Sequence, residues 1–236
     1  MDYLSKLTHG LTQLYSKLMP VPCLLCGSCS QQWPLCDACI TQLPQLGNAC
    51  PRCATPSPIT IMCGKCLNQP PEQDLSFSLF HYQDPIDRLI IALKYHDKIF
   101  LTKLFAHLMS EQLQQRQLPQ LLIPIPLHHR RLKMRGYNQS SELAKALSQQ
   151  LSISTDQHCL IRNKNTDPQA SLPYDQRKRN MHGAFTLIQP SVPQHVALID
   201  DVLTTGHTVN AAATLLRQAG AATIEVWTIG RTIRHD

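Results

Sequence analysis

The segment of the sequence best suited to chemistry is a pair of adjacent acids that follows an apolar run. The run from His195 to Ile199 has the composition of a buried strand and leads directly into Asp200 and Asp201. The alanine-rich segment 211–217 further on has high helix propensity. A strand, a turn and a helix in this order predict half of a βαβ unit, whose ligands bind beyond the carboxyl end of the strand. The turn contains three threonines, a glycine and a histidine, namely Thr204, Thr205, Gly206, His207 and Thr208.

Each part of this segment suits a different part of a phosphorylated sugar. The backbone N–H groups of the turn, its hydroxyls and the helix N-terminus suit a phosphate, and Gly206 allows close approach of the backbone. Asp200 and Asp201 suit ribose hydroxyls or a Mg²⁺ ion. The sequence therefore predicts a ribose 5-phosphate site, with an ordinary capped strand-to-helix turn as the alternative. The chain has no Walker A and no G-x-G-x-x-G pattern, so P-loop and dinucleotide sites lack their main support.

This segment resembles the signature of type I phosphoribosyltransferases, which bind phosphoribosyl pyrophosphate (PRPP) with Mg²⁺. The resemblance implies that Asp200 and Asp201 contact the ribose 2′ and 3′ hydroxyls. It also implies that the turn 204–208 holds the 5′-phosphate. The fold expected from it is α/β, with a largely parallel sheet flanked by helices.

Eight of the ten cysteines form a repeat near the amino terminus. Two C-x-x-C pairs separated by nine residues recur 27 positions later. Two such pairs supply the four thiolates of a tetrahedral zinc site, so the repeat predicts two structural zinc ribbons in tandem, and a reducing cytoplasm rather than disulfides. Interleaved pairing, or a single zinc ion, stays open at this point. The predicted ligands are Cys23, Cys26, Cys36, Cys39, Cys50, Cys53, Cys63 and Cys66, while Cys29 and Cys159 lie outside the pattern.

Basic residues collect after a second short apolar strand, 121–126. Arg130, Arg131, Lys133 and Arg135 lie within six residues, in what the pattern predicts to be a loop at the carboxyl end of that strand. Such a cluster suits pyrophosphate or a nucleic-acid backbone, and a solvated surface run is the alternative. Residues 76–236 carry the whole net charge of +6, which favours anionic ligands of either kind. Lys94, at the end of a predicted helix, is a further candidate for the pyrophosphate.

The remaining periodicity gives the domain organisation. Residues 1–19 predict an amphipathic helix, 20–70 the double zinc ribbon, and 76–236 the α/β domain, with a Pro-rich linker at 67–75. The polar segment 163–180 predicts a mobile lid. Further strands are expected at 75–82, 154–161, 184–188 and 222–229, and further helices at 85–95, 100–118 and 141–150.

The composition limits the cellular setting. The 236-residue chain is 43% apolar, has no run of 18 apolar residues and begins without a secretory signal pattern. No transmembrane segment is therefore expected, and we expect a cytoplasmic protein that reaches the inner membrane, if at all, through partners.

Several further motifs accompany the acidic pair in a fixed order. They are the paired cysteine knuckles, Leu93-Lys94-Tyr95, Ile123-Pro124-Ile125-Pro126, Arg135-Gly136-Tyr137-Asn138-Gln139, then Gln169, Arg177, Asn180 and Gly183-Ala184-Phe185. Taken together, these motifs resemble one branch of the superfamily, the ComF/GntX competence-associated proteins. The resemblance implies a cytoplasmic role in the uptake or use of external DNA, alongside proteins of the DNA-uptake machinery, and some members bind single-stranded DNA.

Two functions follow from these patterns. The first is a PRPP-binding protein of DNA uptake or utilisation that contacts single-stranded DNA. The alternative is an active phosphoribosyltransferase that uses a nucleobase or related acceptor, with Asp200, Asp201 and Arg135 as its catalytic residues. The predicted PRPP-binding residues are Lys94, Arg130, Arg131, Lys133, Asp200, Asp201, Thr204, Thr205, Gly206, His207 and Thr208.

Overall fold

The computed structural model describes residues 21–164 and 183–232, which fall into two compact units, 1–43 and 44–236. Three sequence predictions lie outside the described residues. These are the amphipathic helix 1–19, most of the lid 163–180, and the family motif residues Gln169, Arg177 and Asn180.

The first unit, in its described part, is built around a two-stranded ribbon. Strands β1 (Val21–Pro22) and β2 (Cys29–Ser30) pair antiparallel, and helix α1 (Asp37–Thr41) follows. The Ser30 hydroxyl donates to the carbonyls of Trp33 and Leu35 at 2.6 and 3.0 Å, which ties the ribbon to the turn before α1. So small a segment has little apolar core, because Leu35 and Cys23 are among its few buried side chains.

The second unit contains a five-stranded sheet in which every neighbouring pair is parallel. The strand order is β3-β9-β8-β4-β5. The two longest strands, β8 and β9, are therefore neighbours in the interior of the sheet. An all-parallel sheet needs helices on its faces, and its central strands are accordingly buried and apolar. The predicted α/β class with a largely parallel sheet is confirmed. The strands are β3 (Leu75–His81), β4 (Leu121–Pro124), β5 (Ser154–Thr155), β8 (His195–Leu203) and β9 (Thr223–Arg231).

The longer helices of this unit connect the strands and bury one face each. The helix that follows β8 buries Val209, Ala212, Ala213 and Leu216, as the apolar spacing of the sequence predicts. A separate antiparallel ribbon joins β6 (Leu160–Arg162) to β7 (Phe185–Leu187). The helices are α2 (Gly64–Asn68), α3 (Ile86–Tyr95), α4 (Leu101–Leu113), α5 (His129–Arg135), α6 (Gln139–Leu151) and α7 (His207–Gln218).

Three local predictions were wrong in ways that affect the site. Strand β8 does not stop before the acids, because it pairs with β9 as far as Leu203. The segment 154–161 divides into β5, which joins the main sheet, and β6, which belongs to the separate ribbon. The basic segment is the helix α5 rather than a loop. Its residues are good helix formers, His128 caps its start, and Gly136 ends it with a φ of 82°.

The second cysteine segment packs into the core of the second unit. Leu46 and Ala54 belong to the same apolar cluster as the buried face of α7. The stretch 67–75, predicted as a linker, is also held by the domain. Asp74 forms a 2.6 Å ion pair with Arg217, and the Glu72 N–H donates to the Asn210 side chain at 2.8 Å. The boundary between the compact units therefore falls between the two cysteine groups.

Candidate functional site

The acidic pair lies on the central strand β8, near the carboxyl edge of the sheet. Asp200 is in register with Thr228 of β9, and three further residues of β8 follow before the turn. On the side of β8 away from β9, strand β4 ends at Pro124, and the Ile125 N–H still donates to the Ile199 carbonyl at 2.9 Å. The acids therefore face the space into which the segments after β4 and β8 project, as expected for a ligand site in a parallel sheet.

Asp201 is buried and receives two charged or polar partners. The Lys94 ammonium lies 2.9 Å from Oδ1, and the Gln139 amide donates to Oδ2 at 2.7 Å. Arg135 in turn donates to the Gln139 side-chain oxygen at 2.5 Å, which fixes the orientation of the amide. Two successive hydrogen bonds, from Arg135 to Gln139 and from Gln139 to Asp201, thus fix the Asp201 carboxylate against the start of helix α6.

Asp200 is less enclosed and behaves differently. Its Oδ1 accepts hydrogen bonds from the Ser140 hydroxyl at 3.0 Å and from the Asp201 N–H at 2.9 Å. Burial, together with the adjacent Asp201 carboxylate, raises the pKa of Asp200 to about 7. Lys94 and the two hydrogen bonds act in the opposite direction and only partly offset these effects.

Lys94 is held as the internal counter-ion of the pair. Burial lowers the pKa of Lys94, but the Asp201 carboxylate outweighs it, with a smaller contribution from Asp200, and the pKa is raised overall. Helix α3 fixes the lysine through its buried face and through the Tyr137 hydroxyl, which donates to the Leu93 carbonyl. The family motifs around Lys94 and Tyr137 are thus in direct contact.

The turn after the acids forms the amino end of helix α7. Gly206 adopts a φ of 80° at the cap, a left-handed conformation that a glycine accommodates without strain. All five residues of the turn, 204–208, are half-buried, so the turn is partly exposed to solvent. Arg231, at the end of β9, donates to the Thr204 carbonyl at 2.6 Å and to the Leu203 carbonyl at 3.0 Å. The start of the turn is therefore anchored from the neighbouring strand.

The four clustered cations do not act as one group. Arg130 and Lys133 are exposed on α5 and Arg131 is half-buried, whereas Arg135 stacks 4.9 Å from the Tyr95 ring centroid and points to Gln139. Arg135 is therefore linked to the acids by a hydrogen-bond chain through Gln139. Helix α5 separates the cations because successive residues of a helix face different directions.

Sequence reasoning missed four residues of the site. Gln139 appeared only as part of a family motif, and Ser140, Arg162 and Arg231 carried no local signal. Arg162 of β6 lies 5.6 Å from the Phe185 ring centroid. Burial and the nearby Arg131 lower the pKa of Arg162, while Asp200 has a smaller opposite effect.

The cysteines form two groups of four, as the repeat predicts, and not interleaved sets. Within each group all sulfur atoms lie within 4.8 Å of one another. The Cys26–Cys36 and Cys53–Cys63 sulfurs are 3.6 and 3.7 Å apart. Zinc–sulfur bonds of about 2.3 Å in a tetrahedral site place neighbouring sulfurs about 3.8 Å apart, whereas a disulfide requires about 2.05 Å. The four-thiol geometry therefore fits zinc. The groups are Cys23, Cys26, Cys36 and Cys39, and Cys50, Cys53, Cys63 and Cys66.

The backbone around both groups favours thiolate. Burial opposes ionisation of Cys23 and Cys50, but neighbouring N–H groups that point at the sulfur outweigh it. The pKa falls to about 6 for Cys23 and to about 7 for Cys50. The Cys63 N–H, for example, donates to Cys50 Sγ at 3.3 Å. Ionised thiols at neutral pH are the form that binds a metal.

These features define the class of this protein. It is a parallel α/β protein that carries an acidic pair near the carboxyl edge of its sheet and two four-cysteine groups suited to zinc. Comparison with known proteins is more specific. The chain is 34% identical to the DNA utilization protein YhgH of Salmonella typhimurium over 91% of this chain and 99% of that protein. It is 33% identical to competence protein F of Haemophilus influenzae over 88% and 90% of the two chains. The chain therefore belongs to the ComF/GntX family.

More distant similarities were also found. The competence protein ComFC of Streptococcus pneumoniae is 26% identical over 84% of this chain and 87% of that protein. A hypoxanthine phosphoribosyltransferase from Staphylococcus aureus superposes with a TM-score of 0.37 and 15% identity, over 57% of this chain and 74% of that one. No family model matches the chain. Among the described residues, no helix has the length and apolarity needed to cross a bilayer.

Proposed function

We propose that this chain binds PRPP with Mg²⁺ at the carboxyl edge of its sheet and acts in the uptake or utilisation of external DNA. The PRPP proposal rests on one continuous segment of the chain. A single strand, turn and helix present two carboxylates and then an accessible turn at a helix N-terminus. The names of the relatives in Salmonella typhimurium and Haemophilus influenzae support the cellular role.

The acids retain capacity for ribose hydroxyls. An ionised carboxylate has about four acceptor positions, and Asp201 uses one on each oxygen for Lys94 and Gln139. Donors from the sugar can therefore be accepted without displacement of the internal partners. Mg²⁺ bound with PRPP prefers oxygen ligands, so the pair also has the appropriate donor atoms for it.

The turn 204–208 is proposed to hold the 5′-phosphate. The N-terminus of α7, a helix of twelve residues, presents backbone N–H groups and a partial positive charge to the turn. Lys94 is proposed to lie between the acids and the pyrophosphate, where its charge serves both. Arg135 supports this arrangement through Gln139 rather than as a free cation.

Contact with single-stranded DNA is proposed for the exposed face of α5. Arg130 and Lys133 are exposed and three residues apart, so they lie on one side of the helix. Met134 is 89% exposed and Leu132 is 42% exposed, which adds apolar surface beside the charges. A positively charged face that follows the phosphate backbone binds single strands without sequence preference.

A PRPP titration with and without Mg²⁺ tests the first part. We expect saturable binding by the wild type and a loss of at least tenfold in affinity for Asp200→Asn/Asp201→Asn. Asp84→Asn is the matched control, because this exposed acid pairs only with Arg88 among the contacts described here. Wild-type binding no tighter than that of the double variant would contradict the proposal.

The active transferase remains the alternative, and pyrophosphate release distinguishes it. Incubation of the wild type with PRPP, Mg²⁺ and each nucleobase in turn gives no release if the protein only binds PRPP. Release that stops in the double variant identifies a phosphoribosyltransferase instead. The DNA contact is tested by Arg130→Ala/Lys133→Ala, which should lower the slope of log affinity against log salt by about 0.7 per lost cation.

A further inference from the structure

The side chain of Arg231 hydrogen-bonds both to the loop of the second cysteine group and to the turn 204–208. We propose that Arg231 is a positioning residue through which this group, when it holds its metal, orders the turn 204–208. The proposal rests on the proposed function only in calling the turn phosphate-binding. The connection itself stands on the contacts of the described residues.

The Arg231 guanidinium reaches both structures at once. On one side its Nη1 donates to the carbonyls of Leu203 at 3.0 Å and Thr204 at 2.6 Å. On the other side its Nε donates to the Cys53 carbonyl at 2.9 Å, and its Nη2 to the Thr55 hydroxyl at 3.2 Å. A guanidinium can do this because its donors are fixed in a planar fork, which a lysine lacks.

The contact on the cysteine side belongs to the metal-binding loop itself. Cys53 is one of the four sulfur donors, and the Cys50 N–H donates to the Thr55 carbonyl at 2.8 Å, closing the loop 50–55. A metal that joins Cys50 and Cys53 to Cys63 and Cys66 therefore fixes the carbonyl that Arg231 binds. Without the metal, four thiols no longer hold this loop in one conformation.

The loop also touches the element that carries the turn. Ala54 is buried at 1% exposure with a φ of 53°, in the apolar cluster that contains Val209 and Ala212 of α7. The first turn of α7 is held as well by the Asn210 side chain, which accepts from the Glu72 N–H. Metal binding at Cys50–Cys66 and the order of the turn are thus linked by two routes, of which Arg231 is the polar one.

Hydrogen–deuterium exchange of the full, zinc-loaded chain tests the inference without PRPP. We expect exchange in the peptide 203–208 to be at least fivefold faster in Arg231→Met, with the zinc content unchanged. Arg231→Lys keeps the charge but not the fork, so it should give an intermediate rate. Arg88→Met is the control, because this guanidinium bonds to Asp84 and has no contact with the turn among the interactions of the described residues. It should change exchange at 203–208 by less than twofold.

Removal of the metal from this group gives the second arm. Cys66→Ser removes a ligand far along the chain from the Arg231 contacts, and we expect one zinc less and the same fivefold acceleration at 203–208. If both act through one connection, the double variant Cys66→Ser/Arg231→Met should be no more than twofold faster than either single variant. Unchanged exchange in Cys66→Ser, or a multiplicative increase in the double variant, would overturn the inference.

PRPP affinity separates this inference from the proposed function. If both are correct, Arg231→Met and Cys66→Ser each weaken PRPP binding about tenfold, and Arg231→Lys weakens it less. If the wild type does not bind PRPP, the proposed function fails while the exchange results still decide the role of Arg231. Should Arg231→Met fail to fold, Arg231→Lys and Cys66→Ser provide the same comparison.

Discussion

The ammonium of Lys94 lies 2.9 Å from the carboxylate of Asp201, so helix α3 neutralises the second acid of the pair from within the fold. The two residues are far apart in the chain and come from helix α3 and from the central strand β8. Their side chains are 21% and 7% exposed. Loss of one partner therefore leaves the other charge uncompensated in a mostly dry environment, which is the costly case for an ion pair.

Lys94→Met should lower the free energy of unfolding by about 3 kcal/mol, because Asp201 then remains buried without its cation. Denaturant unfolding of the zinc-loaded protein measures the change. Arg88→Met on the same helix is the control, since its 2.5 Å pair with Asp84 is two-thirds exposed and should contribute less than about 1 kcal/mol. Equal effects of the two variants would show that the Lys94 pair is hydrated in solution.

Asp200→Asn should alter how stability depends on pH. Burial and Asp201 raise the pKa of Asp200 to about 7, whereas an unfolded Asp titrates near about 3.9. Between these values the folded state binds a proton that the unfolded state has lost, so the wild type loses stability as the pH rises toward 7 and levels off above it.

The thermal midpoint measured from pH 6 to pH 8 tests this sign. The wild type should lose about 1 kcal/mol relative to Asp200→Asn across this range. Effects of metal binding are common to both proteins and cancel in the comparison. Asp84→Asn should retain the wild-type profile, and a flat difference between wild type and Asp200→Asn would mean that this carboxyl group is ionised throughout.

The chain should bind two zinc ions, one in each four-cysteine group. Cys26→Ser and Cys53→Ser should each reduce the zinc content from two to one, measured by elemental analysis after gel filtration. Cys159→Ser is the control and should retain two, because burial raises the pKa of this isolated thiol to about 11 and keeps it protonated. A single ion lost in both cysteine-group variants would point to one shared site.

Gly206→Ala should destabilise the second unit by about 1 kcal/mol and weaken PRPP binding, because a φ of 80° is strained for a residue with a side chain. The space beside Gly206 is open, so the effect is one of backbone conformation and not of a clash. Gly206→Asn should cost less, since Asn tolerates this region better. Gly64→Ala, at a helical position with similar open space, should change stability by less than about 0.5 kcal/mol.

The local motifs carried most of what could be predicted. The acidic pair and the turn 204–208 lie close together in the sequence, so the strand, turn and helix could be recognised from local patterns alone. The cysteine repeat worked for the same reason, because each C-x-x-C pair closes within four residues. The exact ends of the strands and helices were harder to predict from the sequence. Strand β8 continues past two acids, and the basic segment folds as helix α5, since pairing with β9 and a glycine cap override the local polarity.

The chain alone determined the parallel α/β class, the repeat of eight cysteines and the order of acidic pair, turn and helix, because each depends on neighbours in sequence. Only the tertiary structure decided that Lys94 and Gln139 share Asp201, that Arg135 acts through Gln139, and that Arg231 joins the loop 50–55 to the turn. These contacts bridge separations such as 62 and 178 residues. They depend on the spatial order of the strands in the sheet, which places residues that are distant in sequence side by side at one edge of the sheet.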